Sequence, residues 1–425
     1  MVLKEDLTDI QNNKNNMEGA AGRRKQRRPV TPSLLFTDYM KKLLSAILIA
    51  IAAITMASCG KAEHSDNPKP PVTAEKTIFV FMPYSGNSGS LYYNFLTNIG
   101  DMERAIAENG GLGNTHLIVF IAKNGNMGNL INITYNGKRC VRDTVATYTS
   151  PTYLTTEGRT ALLGQVKVYA PAKTYAMIVG CHGEGWLLSN GKKSVATRFF
   201  GGTSPEYQIE IPDFAKSITN AGMKMQFILF DDCYLSTIEV AYDLRTVTDH
   251  VIASTSEIMA YGMPYQNIFK YLMQPQPDYK SVCTEFHDFY SKYDMPYGAI
   301  GVTDCAYIDQ MAALMKNINA IHTIDDADID KIQDLDADHF TPTVYYDFGD
   351  YVKHLCADDE TSLAQFNALL NQLVPYKACT EKIYSYTGRK AIAVNTFSGM
   401  TTSDPSKHER VVEIKTQTTW WKATH

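Results

Sequence analysis

Short apolar runs recur along the chain, and between them the apolar positions switch to helical spacing. Thr77–Met82 (TIFVFM), His116–Ala122 (HLIVFIA), Tyr175–Gly180 (YAMIVG), Gln226–Phe230 (QFILF), Val251–Ser254 and Ala299–Val302 read as strands, rich in β-branched and aromatic residues. Leu91–Asn109, Glu157–Ala170, 211–221 and 234–246 read as helices. The strand runs are continuously apolar rather than alternating, so both of their faces need cover. That predicts an α/β fold: a mostly parallel sheet with helices on both faces. Residues 130–150 interrupt the alternation as a β-excursion, with Asn136-Gly137 as a hairpin turn. The pattern loosens from about 305. There follow a helix in YIDQMAALMKNINAI, an acidic stretch at 323–338, a tyrosine-rich segment at 345–351, and expected β-structure in RKAIAVNTFSG and TWWKA. A main domain over 76–304 and a C-terminal α+β subdomain over 305–425 are the expected division.

The 425 residues are 44% hydrophobic and 20% charged, an ordinary globular balance, with 26 tyrosines and a formal net charge of −5. The only basic run, Arg23–Arg28, lies in an N-terminal segment expected to be removed, which argues against nucleic acid as a partner. A nucleotide is argued against by the lack of a G-x-x-x-x-G-K-[ST] loop and of G-x-G-x-x-G after the first strand. In the N-terminal segment, Lys41-Lys42 precede LLSAILIAIAAITMASC, Leu43–Cys59. Basic start, short apolar middle and small-residue end describe an export signal, and the apolar run falls short of the roughly 20 residues a membrane span needs. Met56-Ala57-Ser58-Cys59 resembles the lipobox of bacterial lipoproteins, in which the cysteine is acylated and becomes the first residue. Residues 1–58 are thus read as an upstream extension and signal peptide, and 59–75 as a flexible tether. The expected product is an exported bacterial lipoprotein, anchored to a membrane through Cys59. Seven cysteines follow, an odd number without CxxC or CxH spacing, so neither a zinc cluster nor a full disulfide framework is expected.

Two strand ends carry the chemistry. The third strand runs into Cys181-His182-Gly183-Glu184-Gly185-Trp186, and the fourth into Asp231-Asp232-Cys233 followed by a helical pattern. In a parallel sheet, functional groups gather beyond the carboxyl ends of the strands. If the third and fourth strands are neighbours, His182 faces Cys233 as general base. A helix starting at Cys233, together with an imidazolium, would lower the thiol pKa from about 8.5 into the range of roughly 3.5–7.5. The N–H groups of Gly183 and Cys233 would form an oxyanion hole. Cys181 is read as buried and uninvolved, and Glu184 as either solvated or steering substrate. His116, His250, His287 and His354 lack comparable context.

Strand-His-Gly followed by strand-Asp-x-Cys, with the histidine 51 residues upstream, is similar to caspase-like cysteine peptidases, where the gap is about 50. VGCHGEGW, FDDCYLSTIEVAYDL, ASTSEIMAYGMPYQ and TTWWKA resemble the clostripain family of bacterial cysteine peptidases. The resemblance implies a His182–Cys233 dyad, an oxyanion hole at Gly183, and Asp231 beside the pocket for the side chain preceding the cut. Family members cleave after Arg or Lys and use acidic residues in that pocket. Here Glu257 and Tyr261 join Asp231 as candidate substrate-binding residues, yet the surrounding IMAYGMPYQ is apolar and neutral, so an apolar or small side chain is the alternative. Some relatives activate themselves by cleavage after a basic residue between the histidine and the cysteine. Leu187–Tyr207, with Lys192, Lys193 and Arg198, has that character, or is a plain surface loop. No cofactor is expected. Calcium serves some relatives, but the acids at 323–338 do not follow an EF-hand. Two other functions share these residues: a surface lipoprotein that keeps the fold but only binds, and an acyl hydrolase or transferase on a non-peptide substrate.

Overall fold

The computed structural model describes residues 72–83, 90–187, 199–202 and 207–425. Cys59, the apolar run before it, and Lys192, Lys193 and Arg198 lie outside them. In chain order the first elements are β1 (Ala74–Met82), α1 (Ser90–Glu108), β2 (Thr115–Asn124), β3 (Met127–Tyr135), β4 (Cys140–Tyr148), α2 (Thr156–Tyr169), β5 (Ala172–Gly180), β6 (His182–Gly183), β7 (Phe199–Gly201) and β8 (Gln208–Glu210). They are followed by α3 (Ile211–Asn220), β9 (Met225–Asp231), α4 (Ile238–Leu244), β10 (His250–Ala253), α5 (Tyr265–Leu272), α6 (Tyr279–Tyr290), β11 (Ala299–Asp304) and α7 (Ile308–Ile321). The chain ends with β12 (Tyr346–Asp347), α8 (Phe348–Leu355), α9 (Glu360–Leu373), β13 (Tyr376–Cys379), β14 (Lys382–Ser385), β15 (Lys390–Ala393), β16 (Thr401–Thr402), α10 (Glu409–Ile414) and α11 (Thr419–Thr424).

Among the described residues the main sheet has nine strands in the order β13-β11-β10-β9-β5-β1-β2-β3-β4. The five central strands, β10 to β2 in that order, pair in parallel. The flanking strands β11, β13, β3 and β4 pair antiparallel. The continuously apolar runs are the parallel centre, with Ile78, Val80, Ile118, Val119, Ile178, Phe227 and Leu229 fully buried. Helices α1, α5 and α6 pack together as one layer, and α2, α3 and α4 as the other. The Asn136-Gly137 excursion is the β3–β4 hairpin: Asn136 N–H donates to Arg139 O, and Gly137 takes φ 88°. Residues Pro70–His425 form one unit, and β13 brings the C-terminal segment into the main sheet. Among the described residues no helix is long and apolar enough to cross a membrane.

Two elements differ from the sequence reading. Helix α4 does not start at Cys233 but at Ile238. Thr237 caps it, accepting from Val240 N–H at 3.1 Å, and Tyr234 takes φ 60°, which a helix excludes. Residues 234–236 instead run beside 254–256: Tyr234 N–H donates to Ser256 O and Ser236 N–H to Ser254 O. The TWWKA segment is helix α11 rather than β-structure, because Thr418 caps it by accepting from Trp421 N–H and Trp420 is fully buried against the Tyr242 and Phe348 rings.

Candidate active site

The site is built where β5 and β9 end side by side. In their parallel register Gly180 lies opposite Asp231. The next residues leave the sheet together, Cys181-His182 from one strand and Asp232-Cys233 from the other. Asp232 ties the two exits: its Oδ1 accepts from Cys181 N–H at 2.5 Å and its Oδ2 from the Cys181 thiol at 3.4 Å. A Cβ on Gly183 would lie 2.4 Å from the Cys233 carbonyl oxygen, so the two crossings touch and only glycine fits. His182 and Gly183 then form β6, pairing with Gly201 and Phe200 of β7.

His182, Cys233, Cys181, Asp231, Glu257 and Met259 line one cavity of about 600 Å³. Burial pushes the Cys233 thiol well above its usual value, and the charge of Glu257 adds to this. The Ile258 N–H, donating to Sγ at 3.4 Å, pulls weakly the other way. This corrects the expectation of a lowered thiol pKa, since the helix start that was to stabilise a thiolate lies five residues further on. Burial also lowers the His182 imidazole, against the charge of Glu184. Both shifts favour the uncharged forms, a thiol and a neutral imidazole lining the same cavity.

Asp231 is buried in the cavity lining. Its Oδ1 accepts from Met263 N–H at 2.8 Å and its Oδ2 from the Tyr265 hydroxyl at 2.9 Å. Gly262 lies against the same carboxylate, where a Cβ would be 2.7 Å from either oxygen. Burial raises Asp231 to about 7, and raises Asp232 well above the carboxylate range. Elsewhere burial raises Glu239 and Asp404, and Asp336 to about 8. In the unfolded chain these groups ionise near 4. Between pH 4 and their folded values the folded state holds more protons, so stability declines as pH rises. The expected result is a melting temperature several degrees lower at pH 8 than at pH 5, read by differential scanning calorimetry; an equal or higher value at pH 8 contradicts it.

Glu257 lines the cavity and accepts from Tyr386 N–H at 2.9 Å. Tyr261 does not face the cavity: its hydroxyl donates to Asp101 at 2.9 Å and its ring stacks on Phe289 at 4.7 Å. Its neighbours Ala260 and Gly262 form the wall instead. Of the acids at 323–338, Asp325, Asp334 and Asp336 accept from the N–H groups of Ala327, Ala337 and Val344, while Asp326, Asp328 and Asp338 pair with Lys407, Lys331 and Lys390. Among the described residues no group of three His, Cys, Asp or Glu could hold a metal ion. All seven cysteines after Cys59 are free.

Sequence reading missed His339 and Tyr345. Tyr345 clamps the histidine loop, donating to Glu184 O at 2.6 Å and accepting from Trp186 N–H at 3.2 Å. Its ring stacks on Tyr234, just past Cys233, at 5.4 Å. His339 lies 3.7 Å from both the Glu184 and Glu257 carboxylates. The tyrosine-rich run was a signal for the first, but nothing local marked His339, whose partners are 155 and 82 positions away.

A parallel core with antiparallel flanks, and a histidine and cysteine leaving adjacent strand tips into one cavity, define a cysteine hydrolase of the caspase-like type. The clostripain family model, C11 peptidases, matches residues 84–404, and the chain belongs to that family of cysteine proteases. A secreted C11 cysteine protease from Bacteroides thetaiotaomicron, "iotapain", is 45% identical over 84% of this chain and all of its own, with a TM-score of 0.77. A clostripain from B. thetaiotaomicron ATCC 29148, in complex with the peptide inhibitor BTN-VLTK-AOMK, is 50% identical over 53% of this chain and 99% of its own, with a TM-score of 0.51. An inactive zymogen C11 protease from Parabacteroides distasonis is 26% identical over 84% of this chain and 99% of its own, with a TM-score of 0.69. No curated protein matches.

Proposed function

We propose that the chain is an exported, lipid-anchored endopeptidase that cuts after lysine or arginine through a His182–Cys233 dyad. The observation that carries the dyad is the β5–β9 register, with Gly180 opposite Asp231 and both side chains lining one cavity. His182 takes the thiol proton as the sulfur attacks the scissile carbonyl carbon. The tetrahedral oxyanion is held by the N–H groups of Gly183 and Cys233. Its collapse breaks the C–N bond, and the imidazolium gives its proton to the leaving amine. Water, deprotonated by His182, then hydrolyses the thioester and restores the thiol.

The basic preference is supported by Asp231 and Glu257 in the cavity; at Asp231 a cation would stabilise the carboxylate that burial disfavours. The inhibitor bound by the B. thetaiotaomicron relative has lysine as its last residue. Export is supported by the Leu43–Cys59 pattern and by a relative described as secreted, and the anchor by the lipobox-like Met56-Ala57-Ser58-Cys59. One experiment tests both: a peptide-library digest by fractions of cells producing the full chain. Activity should sediment with membranes and favour Lys or Arg before the cut by at least about tenfold, the equivalent of roughly 1.4 kcal/mol. Cutting after apolar residues would replace the basic preference, as Met259 and Ala260 on the wall allow, and activity in the soluble fraction would remove the anchor.

A further inference from the structure

We propose that His339 is a positioning residue of the active centre: as an imidazolium it bridges Glu184, on the loop carrying His182, to Glu257, on the cavity wall, and offsets their charge beside Cys233. The inference rests on Cys233 being the nucleophile.

The ring stands between the two acids, Nε2 3.7 Å from Glu184 Oε1 and Nδ1 3.7 Å from Glu257 Oε2. Its side chain is 14% exposed, shielded by the rings of Tyr234 at 5.0 Å and Phe340 at 4.4 Å. Two carboxylates brought to one shielded spot repel each other unless a cation lies between them. The other ionisable groups around the ring are Asp336 on its own loop, Tyr234 after β9, and His408 across Phe340. Among the described residues, His339 is the one cationic group with ion pairs to both glutamates. The bridge joins three segments far apart in sequence, and a fourth is tied in where Glu257 accepts from Tyr386 N–H; the Glu184 carbonyl is held by Tyr345.

Burial alone would lower the imidazole, but the two glutamates outweigh it and hold the group up at about 9, so it is charged at neutral pH. Both glutamates, in turn, act on Cys233 to keep its proton in place. Losing the cation leaves them unopposed, and the thiol then ionises at higher pH. Removing one glutamate acts in the opposite sense.

The test is the pH dependence of iodoacetamide alkylation, followed by peptide mass spectrometry on the full chain, for wild type, His339→Gln and Glu257→Gln. Wild type should be labelled first at Cys233. The midpoint should rise by about one pH unit in His339→Gln and fall in Glu257→Gln, a shift typical of a nearby charge. A merely structural role would lower the melting temperature of both variants without moving their midpoints in opposite directions. Should His339→Gln fail to fold, His339→Asn takes its place: an upward shift supports the role and an unmoved midpoint overturns it. Unmoved midpoints, or shifts of the same sign, overturn the role of His339 and leave the dyad standing. Wild type labelled at other cysteines in preference to Cys233 overturns both.

Discussion

Cys233→Ala and His182→Ala should each cost on the order of 10⁴- to 10⁶-fold in peptide hydrolysis, and the double variant should lose no more than either alone. Members of a nucleophile–base pair act as a unit, so removing one already removes the pathway. The structure gives this a geometric basis. Both residues leave the sheet at one level, fixed by the Gly180–Asp231 register and by the Asp232 tie to Cys181, and both face the same cavity. Both side chains are half-buried and open on the cavity, so both variants should fold, with melting temperatures within a few degrees of wild type. The readout is kcat/KM on a peptide with lysine before the cut, beside a thermal melt. A folded Cys233→Ala protein retaining more than a hundredth of wild-type activity would end the assignment. Multiplicative losses in the double variant would mean the two residues act separately.

Gly183→Ala should lower kcat by about 10²- to 10³-fold, the scale of losing one oxyanion donor or of displacing a reacting group. Three groups surround the missing side chain. A Cβ would lie 2.4 Å from Cys233 O, 2.4 Å from a Leu235 methyl and 3.0 Å from Asp232 Cβ. The leucine can turn away, but the carbonyl belongs to the proposed nucleophile and the Asp232 Cβ to the residue that ties the strand exits together. The alanine must therefore push the His182 and Cys233 crossings apart, at roughly 1–3 kcal/mol of stability. Gly164→Ala is the control: nothing lies within 4 Å of its added Cβ inside α2, so it should leave activity intact and stabilise slightly. A Gly183→Ala enzyme with wild-type kcat would mean that the close approach has no bearing on the chemistry.

The strands of the central sheet were legible because each buries both faces and is continuously apolar. The residues at their tips were legible because chemistry there needs few residue types. The path between Cys233 and Ile238 was not. Residues 234–246 show helical spacing, but Thr237 offers a better cap than Asp231 or Asp232, whose carboxylates are occupied by Met263, Tyr265 and Cys181. Tyr261 was misplaced for a related reason: in a loop, neighbouring side chains point in unrelated directions, and its hydroxyl finds Asp101 on α1. His339 was invisible because its environment is assembled from three loops, and nothing in Asp338-His339-Phe340 announces two distant glutamates.

The strand order has a bearing on any severing of the backbone between residues 187 and 199. Everything before the break supplies β5, β1, β2, β3 and β4, one flank of the sheet; everything after it supplies β9, β10, β11 and β13, the other. The seam between the halves is the β5–β9 ladder, where the imidazole belongs to one piece and the sulfur to the other. A nicked molecule is thus a heterodimer with the proposed dyad at its subunit boundary. Its working life is set by how long the halves adhere, through that ladder, the β6–β7 pairing and the α1–α5 and α2–α3 contacts.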